Sequence, residues 1–217
     1  MEPGVLLVHG AWHGAWCWDS VLALLPNATA IDLPSNHGGG GFDGDVAAVR
    51  SALDSMDAPV VLVGHSYGGA VVSAAGDHPN VGNLVFLCAY ALDEGESLAA
   101  NGAPAADGAS LTPGMDGEML VVDAEVAREA FYGDCSEQPV DRLVPHPLEA
   151  FLTPVGSPAW RVKPSTYVVC TEDQAIHPEQ QRFFAARCSH VVELPASHSP
   201  MLSMPDRVAE VVRAAAT

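Results

Sequence analysis

The sequence predicts an α/β fold: about six mostly parallel strands flanked by helices, with a short cap inserted after the fourth strand. Three observations carry that expectation. Short β-branched runs recur along the chain, each closing on a glycine, a proline or a polar loop. Helical spacing fills the gaps between them, and one long stretch, residues 91–163, breaks the alternation. Strands covered by helices on both faces read as near-continuous apolar runs, as these do.

The expected strands are residues 5–9, 28–32, 60–63, 83–90, 166–170 and 191–194. Between the second and third, Val46, Val49, Leu53 and Met56 step by three, four and three, which makes one apolar helix face. Near the end, Ser203 and Asp206 are expected to cap a helix that carries Val208, Val211 and Val212, with Pro205 in its first turn. Strand and helix in alternation imply a mostly parallel sheet.

Residues 91–163 show no clear strand, only a Gly/Ala/Pro-rich segment over 98–117 and two or three short helix candidates. Asp123 is placed to cap one that carries Val126, Ala130 and Phe131. An insertion of this length is usually functional. Its aromatic and apolar residues between Phe131 and Trp160 predict that it packs as a cap over the core. The expected organisation is one domain over 1–217, with the core at about 1–90 and 164–217 and the cap at about 91–163.

A chain of 217 residues, 48% hydrophobic and 17% charged, suits one sizeable core. No apolar run approaches the ~20 residues of a membrane span. The N-terminus carries no basic, apolar leader pattern. Five cysteines at scattered spacings fit a reduced, cytoplasmic protein and suggest no zinc site. Nine basic against 27 acidic residues give a net charge of −18, which repels phosphate backbones and anionic lipid. Neither nucleic acid nor a membrane is therefore an expected partner, and the acidic surface is compatible with tolerance of salt.

The chemistry centres on Gly64-His65-Ser66-Tyr67-Gly68, preceded by Val60–Val63 and followed by a helical run. A serine in a sharp strand-to-helix turn needs strained dihedrals and minimal side chains two residues either side. Gly64 and Gly68 meet that need. A serine hydroxyl also needs a base to take its proton, and the base needs an orienting acid. In this architecture the order is serine, acid, histidine, each after a later strand. His198 follows the strand ending at Leu194, and Asp173 follows the strand ending at Cys170. His198 is the expected base and Asp173 its partner, with Glu172 and Asp93 as alternative acids. Backbone donors for an oxyanion are expected from Tyr67 and from the loop after the first strand, with Ala11 ahead of Gly10. His9 is read as a turn-stabilising residue and His65 as a structural one pointing away across the turn. Trp16 and Trp18 are expected to pack against the helix that follows. His37, His78, His146, His177 and His190 read as surface or loop residues with no metal pairing.

The string His9-Gly-Ala-Trp-His13-Gly-Ala-Trp16-Cys-Trp18, with Gly64-His-Ser-Tyr-Gly-Gly69, Cys170-Thr-Glu-Asp173-Gln-Ala-Ile176 and His198-Ser-Pro, resembles the plant methylesterase and hydroxynitrile lyase family. It is especially similar to that family's small bacterial esterase relatives. The resemblance implies the α/β-hydrolase fold, a Ser66–His198–Asp173 triad, an oxyanion hole from Ala11 and Tyr67, and ester hydrolysis without cofactor or metal. Relatives of this kind often form homodimers. The family's cyanide-releasing lyases carry a threonine and a lysine where this sequence has Gly10 and Ser199. Neither residue here does that work, so the expectation is a carboxylesterase acting on a small neutral ester. A lyase and a ligand-binding receptor that keeps a hydrolase site are the rival readings.

Overall fold

Among the described residues, nine short strands sort into two sheets. In chain order they are β1 (Gly4–Val8), β2 (Ala28–Ile31), β3 (Val60–His65), β4 (Val81–Leu87), β5 (Gly114–Asp116), β6 (Met119–Val121), β7 (His146–Pro147), β8 (Ser165–Cys170) and β9 (His190–Leu194). The computed structural model describes residues 3–57, 59–101 and 113–216. The central sheet has the order β2-β1-β3-β4-β8-β9 and every neighbouring pair in it is parallel. This is the α/β-hydrolase fold. The described helices are α1 (Asp19–Leu22), α2 (Gly41–Asp54), α3 (Gly68–Ala75), α4 (Leu98–Asn101), α5 (Ala124–Phe131), α6 (Leu148–Leu152), α7 (Pro178–Ala185), α8 (Pro200–Ser203) and α9 (Pro205–Ala215).

Alternate residues of each strand enter opposite cores because a strand's side chains alternate between faces. Leu6, Val8, Leu62, Leu84 and Phe86 pack with Phe42, Val49 and Leu53 of α2 and Val71 and Val72 of α3. Val5, Leu7, Val61, Val63 and Val85 pack on the other face with Trp18, Val21, Val208 and Val212. Both faces are therefore closed over the middle strands β1, β3, β4 and β8, which are mostly apolar and buried, while the edge strand β9 is largely exposed.

The structure shifts some expected boundaries. β1 ends at Val8, so His9 already belongs to the loop, and β4 ends at Leu87, three residues earlier than expected. Cys88 there takes φ +38, turning the chain out of the sheet. The capping expectation at α9 is corrected: Met204 occupies the N-cap position and no side chain caps the helix. Ser203 is spent in the preceding helix, where its hydroxyl donates to the Ser199 carbonyl at 3.5 Å. Asp206 instead lies in the first turn of α9, where an acidic group is favourable.

The cap holds α4, α5, α6 and a small antiparallel sheet, β5-β6-β7, which corrects the expectation of no strand there. Strands of three, three and two residues are too short to show a period of two. The legible signal was Gly117, which takes φ +61 as the first residue of the two-residue hairpin loop Gly117-Glu118. Most of the Gly/Ala/Pro-rich segment, residues 102–112, lies outside the described residues. Asp123 caps α5 as expected, its carboxylate accepting the Glu125 N–H at 2.8 Å. Among the described residues no helix is long and apolar enough to cross a membrane.

Candidate active site

Ser66 stands between the end of β3 and the start of α3 with φ +51, a left-handed conformation that costs a non-glycine residue free energy. Its neighbours leave no choice of residue at two places. A Cβ on Gly64 would lie 2.6 Å from the Gly68 carbonyl oxygen. One on Gly68 would lie 2.6 Å from the His9 carbonyl and 2.7 Å from that of Val8. The turn is thus wedged against the end of β1. Ser66 retains 9% exposure, onto a cavity of about 60 Å³ that Ala11, Trp12, Tyr67, Phe131, Phe151 and His198 also line.

His198 follows β9 and Asp173 follows β8, so parallel neighbours deliver both to one sheet edge. His198 Nδ1 donates to Asp173 Oδ2 at 2.7 Å, and both side chains are buried. The second carboxylate oxygen accepts the Ala175 and Ile176 N–H groups at 2.7 and 2.9 Å. Gln181 of α7 donates to Asp173 Oδ2 at 2.8 Å while bonding Cys170 and Ile176 of the same turn. Asp173 is therefore fixed as a buried acceptor. The two alternative acids lie elsewhere: Glu172 is exposed, and Asp93 pairs with Arg161 at 2.5 Å.

His65 is structural, but it does not point away. Its ring packs 4.7 Å from that of His198, and its Nε2 donates to the His198 carbonyl at 2.8 Å. It fixes the backbone of the candidate base. Cys88 Sγ donates to the same carbonyl at 3.4 Å. His65, Cys88 and His198 are close enough to resemble a metal cluster. One nitrogen of each ring is engaged, His65 Nε2 by a carbonyl and His198 Nδ1 by Asp173, and the buried His65 Nδ1 has no hydrogen-bond partner.

Ala11 and Tyr67 both border the cavity beside Ser66. Among the described residues neither backbone N–H has a protein acceptor, so both are available to a bound oxygen. Tyr67 is anchored through its side chain, with its hydroxyl donating to Asp45 Oδ2 at 2.7 Å. Burial pushes the Asp45 carboxyl above its usual range, and the Tyr67 hydroxyl opposes that shift. His9 keeps the turn, as expected. Its Nδ1 donates to the Gly10 carbonyl at 2.8 Å, and its Nε2 accepts the Leu33 N–H at 3.1 Å. Trp18 is wholly buried in the core, whereas Trp16 is half-buried and lies under the Arg142 guanidinium at 4.4 Å.

Three buried residues, two of them beside the cavity, differ from the sequence expectation or carry no signal in it. His146, read as a surface or loop histidine, is fully buried in β7 against Tyr67, with ring centres 4.5 Å apart. His78, read the same way, is also buried, with Nε2 3.1 Å from Asp54. Gln181 carries no signal in the sequence, because a helix-borne glutamine is ordinarily a solvated one.

Residues 5–211 match the model of the alpha/beta hydrolase family. A carbendazim hydrolyzing esterase from Nocardioides sp. is 30% identical, the match covering 96% of this chain and 98% of that protein. Methylesterase 2 of Arabidopsis thaliana is 27% identical over 94% of this chain and 92% of its own. Among solved structures, a pyrethroid hydrolase from Sphingobium faniae superposes with a TM-score of 0.86 at 26% identity, covering 100% of this chain and 98% of that one.

Proposed function

The chain belongs to the alpha/beta hydrolase family, and from that membership we propose that it hydrolyses small neutral carboxylic esters through Ser66, His198 and Asp173. The observation that carries the reading is the buried 2.7 Å bond from His198 to Asp173, beside a cavity that holds Ser66 in a strained turn. Similar proteins include an esterase, a methylesterase and a pyrethroid hydrolase, which supports ester chemistry.

In this reading Ser66 Oγ attacks the ester carbonyl while its proton passes to His198 Nε2. Asp173 holds the imidazole with Nδ1 protonated and stabilises the imidazolium that forms. The carbonyl electron pair moves to oxygen, which the Ala11 and Tyr67 N–H groups receive. Collapse breaks the C–O bond to the alcohol, which leaves with the proton from His198. Water then attacks the acyl-enzyme by the same route and releases the acid and free Ser66. The narrow aromatic cavity favours a modest acyl group, and the acidic surface disfavours anionic esters.

A lyase role has less support. A Cβ at position 10 would lie 2.9 Å from both His65 Nδ1 and Ser66 Cβ, so the lyases' threonine does not fit beside this elbow. The test is hydrolysis of 4-nitrophenyl acetate. Wild-type turnover is expected, with kcat in Ser66→Ala reduced by about 10⁶-fold. Full activity in that variant would refute the proposal, and release of cyanide from mandelonitrile would favour the lyase.

A further inference from the structure

The loop that follows β1 is held from above by the cap. Trp12 takes φ +62, a conformation that a bulky residue keeps only when its surroundings impose it. Two of those constraints come from cap segments. The Trp12 carbonyl accepts the Val144 N–H at 2.9 Å, and Trp12 Nε1 donates to the Leu120 carbonyl at 2.9 Å. A third arrives through a side-chain relay. His13 Nδ1 donates to the Ala11 carbonyl at 3.0 Å, and the Tyr132 hydroxyl, at the end of α5, donates to His13 Nε2 at 3.0 Å. Leu120, Tyr132 and Val144 are far apart in the cap sequence, yet they converge on two adjacent residues of one loop.

The geometry has a consequence for the Ala11 N–H. That N–H shares a peptide plane with the Gly10 carbonyl, which His9 holds from the core side. The following plane, carrying the Ala11 carbonyl, is held by His13. Two imidazoles thus pin the planes on either side of the Ala11 Cα, and the second is under the control of the cap. Each must be neutral with its proton on Nδ1, because Nε2 is an acceptor in both. Burial keeps them so, lowering His9 to about 4 and His13 to about 3. Without the Tyr132 hydroxyl only the Ala11 carbonyl favours the His13 proton on Nδ1, and the other tautomer, which would set a lone pair against that carbonyl, loses its competitor at Nε2.

We infer that the cap assembles the oxyanion hole, with Tyr132 and His13 acting as positioning residues that aim the Ala11 N–H at the reacting carbonyl oxygen. The inference rests on the esterase reading above. It assigns the cap a part in transition-state stabilisation in addition to enclosing substrate. A donor aimed where charge develops lowers kcat when it is lost and leaves ground-state binding unchanged.

The test compares Tyr132→Phe with wild type on 4-nitrophenyl acetate and with a trifluoromethyl ketone inhibitor. That ketone adds Ser66 Oγ to its carbonyl carbon, the π pair becomes an oxyanion, and the serine proton goes to His198. Removing one oxyanion donor outright costs about 10²–10³-fold in kcat, so a misaimed donor is expected to cost about tenfold. KM should stay within about twofold, and the inhibition constant of the ketone should rise in step with the loss in kcat/KM. His13→Asn, which keeps a short donor near the Ala11 carbonyl, should lose less than His13→Ala. Unchanged kcat and ketone affinity in Tyr132→Phe would overturn the inference. So would equal losses in KM and thermal stability with no selective effect on the ketone. Labelling of Ser66 by a fluorophosphonate separates the two levels. If wild type is labelled and Tyr132→Phe reacts at the same rate, only the positioning role falls. If wild type is not labelled, the hydrolase reading itself falls.

Discussion

Ser66 keeps its φ of +51 because its backbone is tied in three directions. Its N–H donates to the Leu87 carbonyl at 3.3 Å, and its own carbonyl accepts from Gly69 at 3.0 Å and from Tyr90 at 3.1 Å. A strained residue of this kind carries about 1–3 kcal/mol that the surrounding contacts must offset. The same crowding makes Gly68, like Gly64, a sensitive position beside Ser66. A methyl there meets two backbone oxygens of β1 and its loop, and neither can rotate away as a side chain could. Gly68→Ala is therefore expected to push the elbow off the end of β1. A displacement near 1 Å costs about 10²-fold in rate, so kcat/KM should fall at least that far. The far-ultraviolet circular dichroism of the folded protein should meanwhile stay close to wild type. Wild-type kcat/KM in this variant would show that the close approach at Gly68 does not set the position of Ser66.

Among the elements, α5 links sequence to activity most directly. It is eight residues long and marginal as an isolated helix, so its cap and its packing hold it. Asp123 satisfies one orphan N–H at its start, while Phe131 and Tyr132 at its end reach the cavity and His13. Asp123→Ala should lower stability by about 1 kcal/mol in urea unfolding. Because fraying starts at the far end, Ser66 chemistry should slow by less than in Tyr132→Phe. A larger loss of rate than of stability would mean that α5 reaches the site differently. This helix was legible in the sequence from its cap and from Ala130 and Phe131, although Val126 is exposed, and so were the six parallel strands, whose apolar runs follow from burial on both faces in all but the edge strands. The Ser66 turn and the placement of Asp173 and His198 after β8 and β9 were legible because strained turns and strand ends constrain residue type. β5, β6 and β7 were not, since two or three residues carry no period, and neither were the partners of Asp173 and His13. Gln181 and Tyr132 contact them only through the tertiary fold, with no local pattern to announce it.

At the scale of the whole molecule, four buried histidines set the response to acid. Burial lowers His9 to about 4, His13 and His146 to about 3, and His65 well below its usual value. In the unfolded chain each titrates near 6.5. Their folded values lie below their unfolded ones, so their contribution to stability is complete above about pH 6.5 and is lost as pH falls towards the folded values. At pH 5.5 each unfolded imidazole is about nine-tenths protonated and each folded one nearly bare, so unfolding should take up three to four protons, roughly. That corresponds to about 4–5 kcal/mol per pH unit, comparable with the entire stability of many domains. An opposing effect comes from the surface, because acid brings the net charge of −18 towards zero and relieves repulsion. Salt separates the two: at 1 M the screening length is about 3 Å, which removes most of the surface repulsion and leaves buried groups little affected. Urea unfolding in 1 M salt at pH 7.5, 6.5 and 5.5 should therefore show a loss of about 1–1.5 kcal/mol over the first step and about 4 kcal/mol over the second. A loss equivalent to less than one proton over the second step would show that these histidines are not all neutral and dry in the folded state. The surface argument has its own expected sign, with stability at pH 7.5 rising as salt increases from 0.01 to 1 M. Acid sensitivity and salt dependence would then have separate physical origins in one molecule, the first in the packed loop and cap around Ser66 and the second in the excess of acidic over basic groups on the surface.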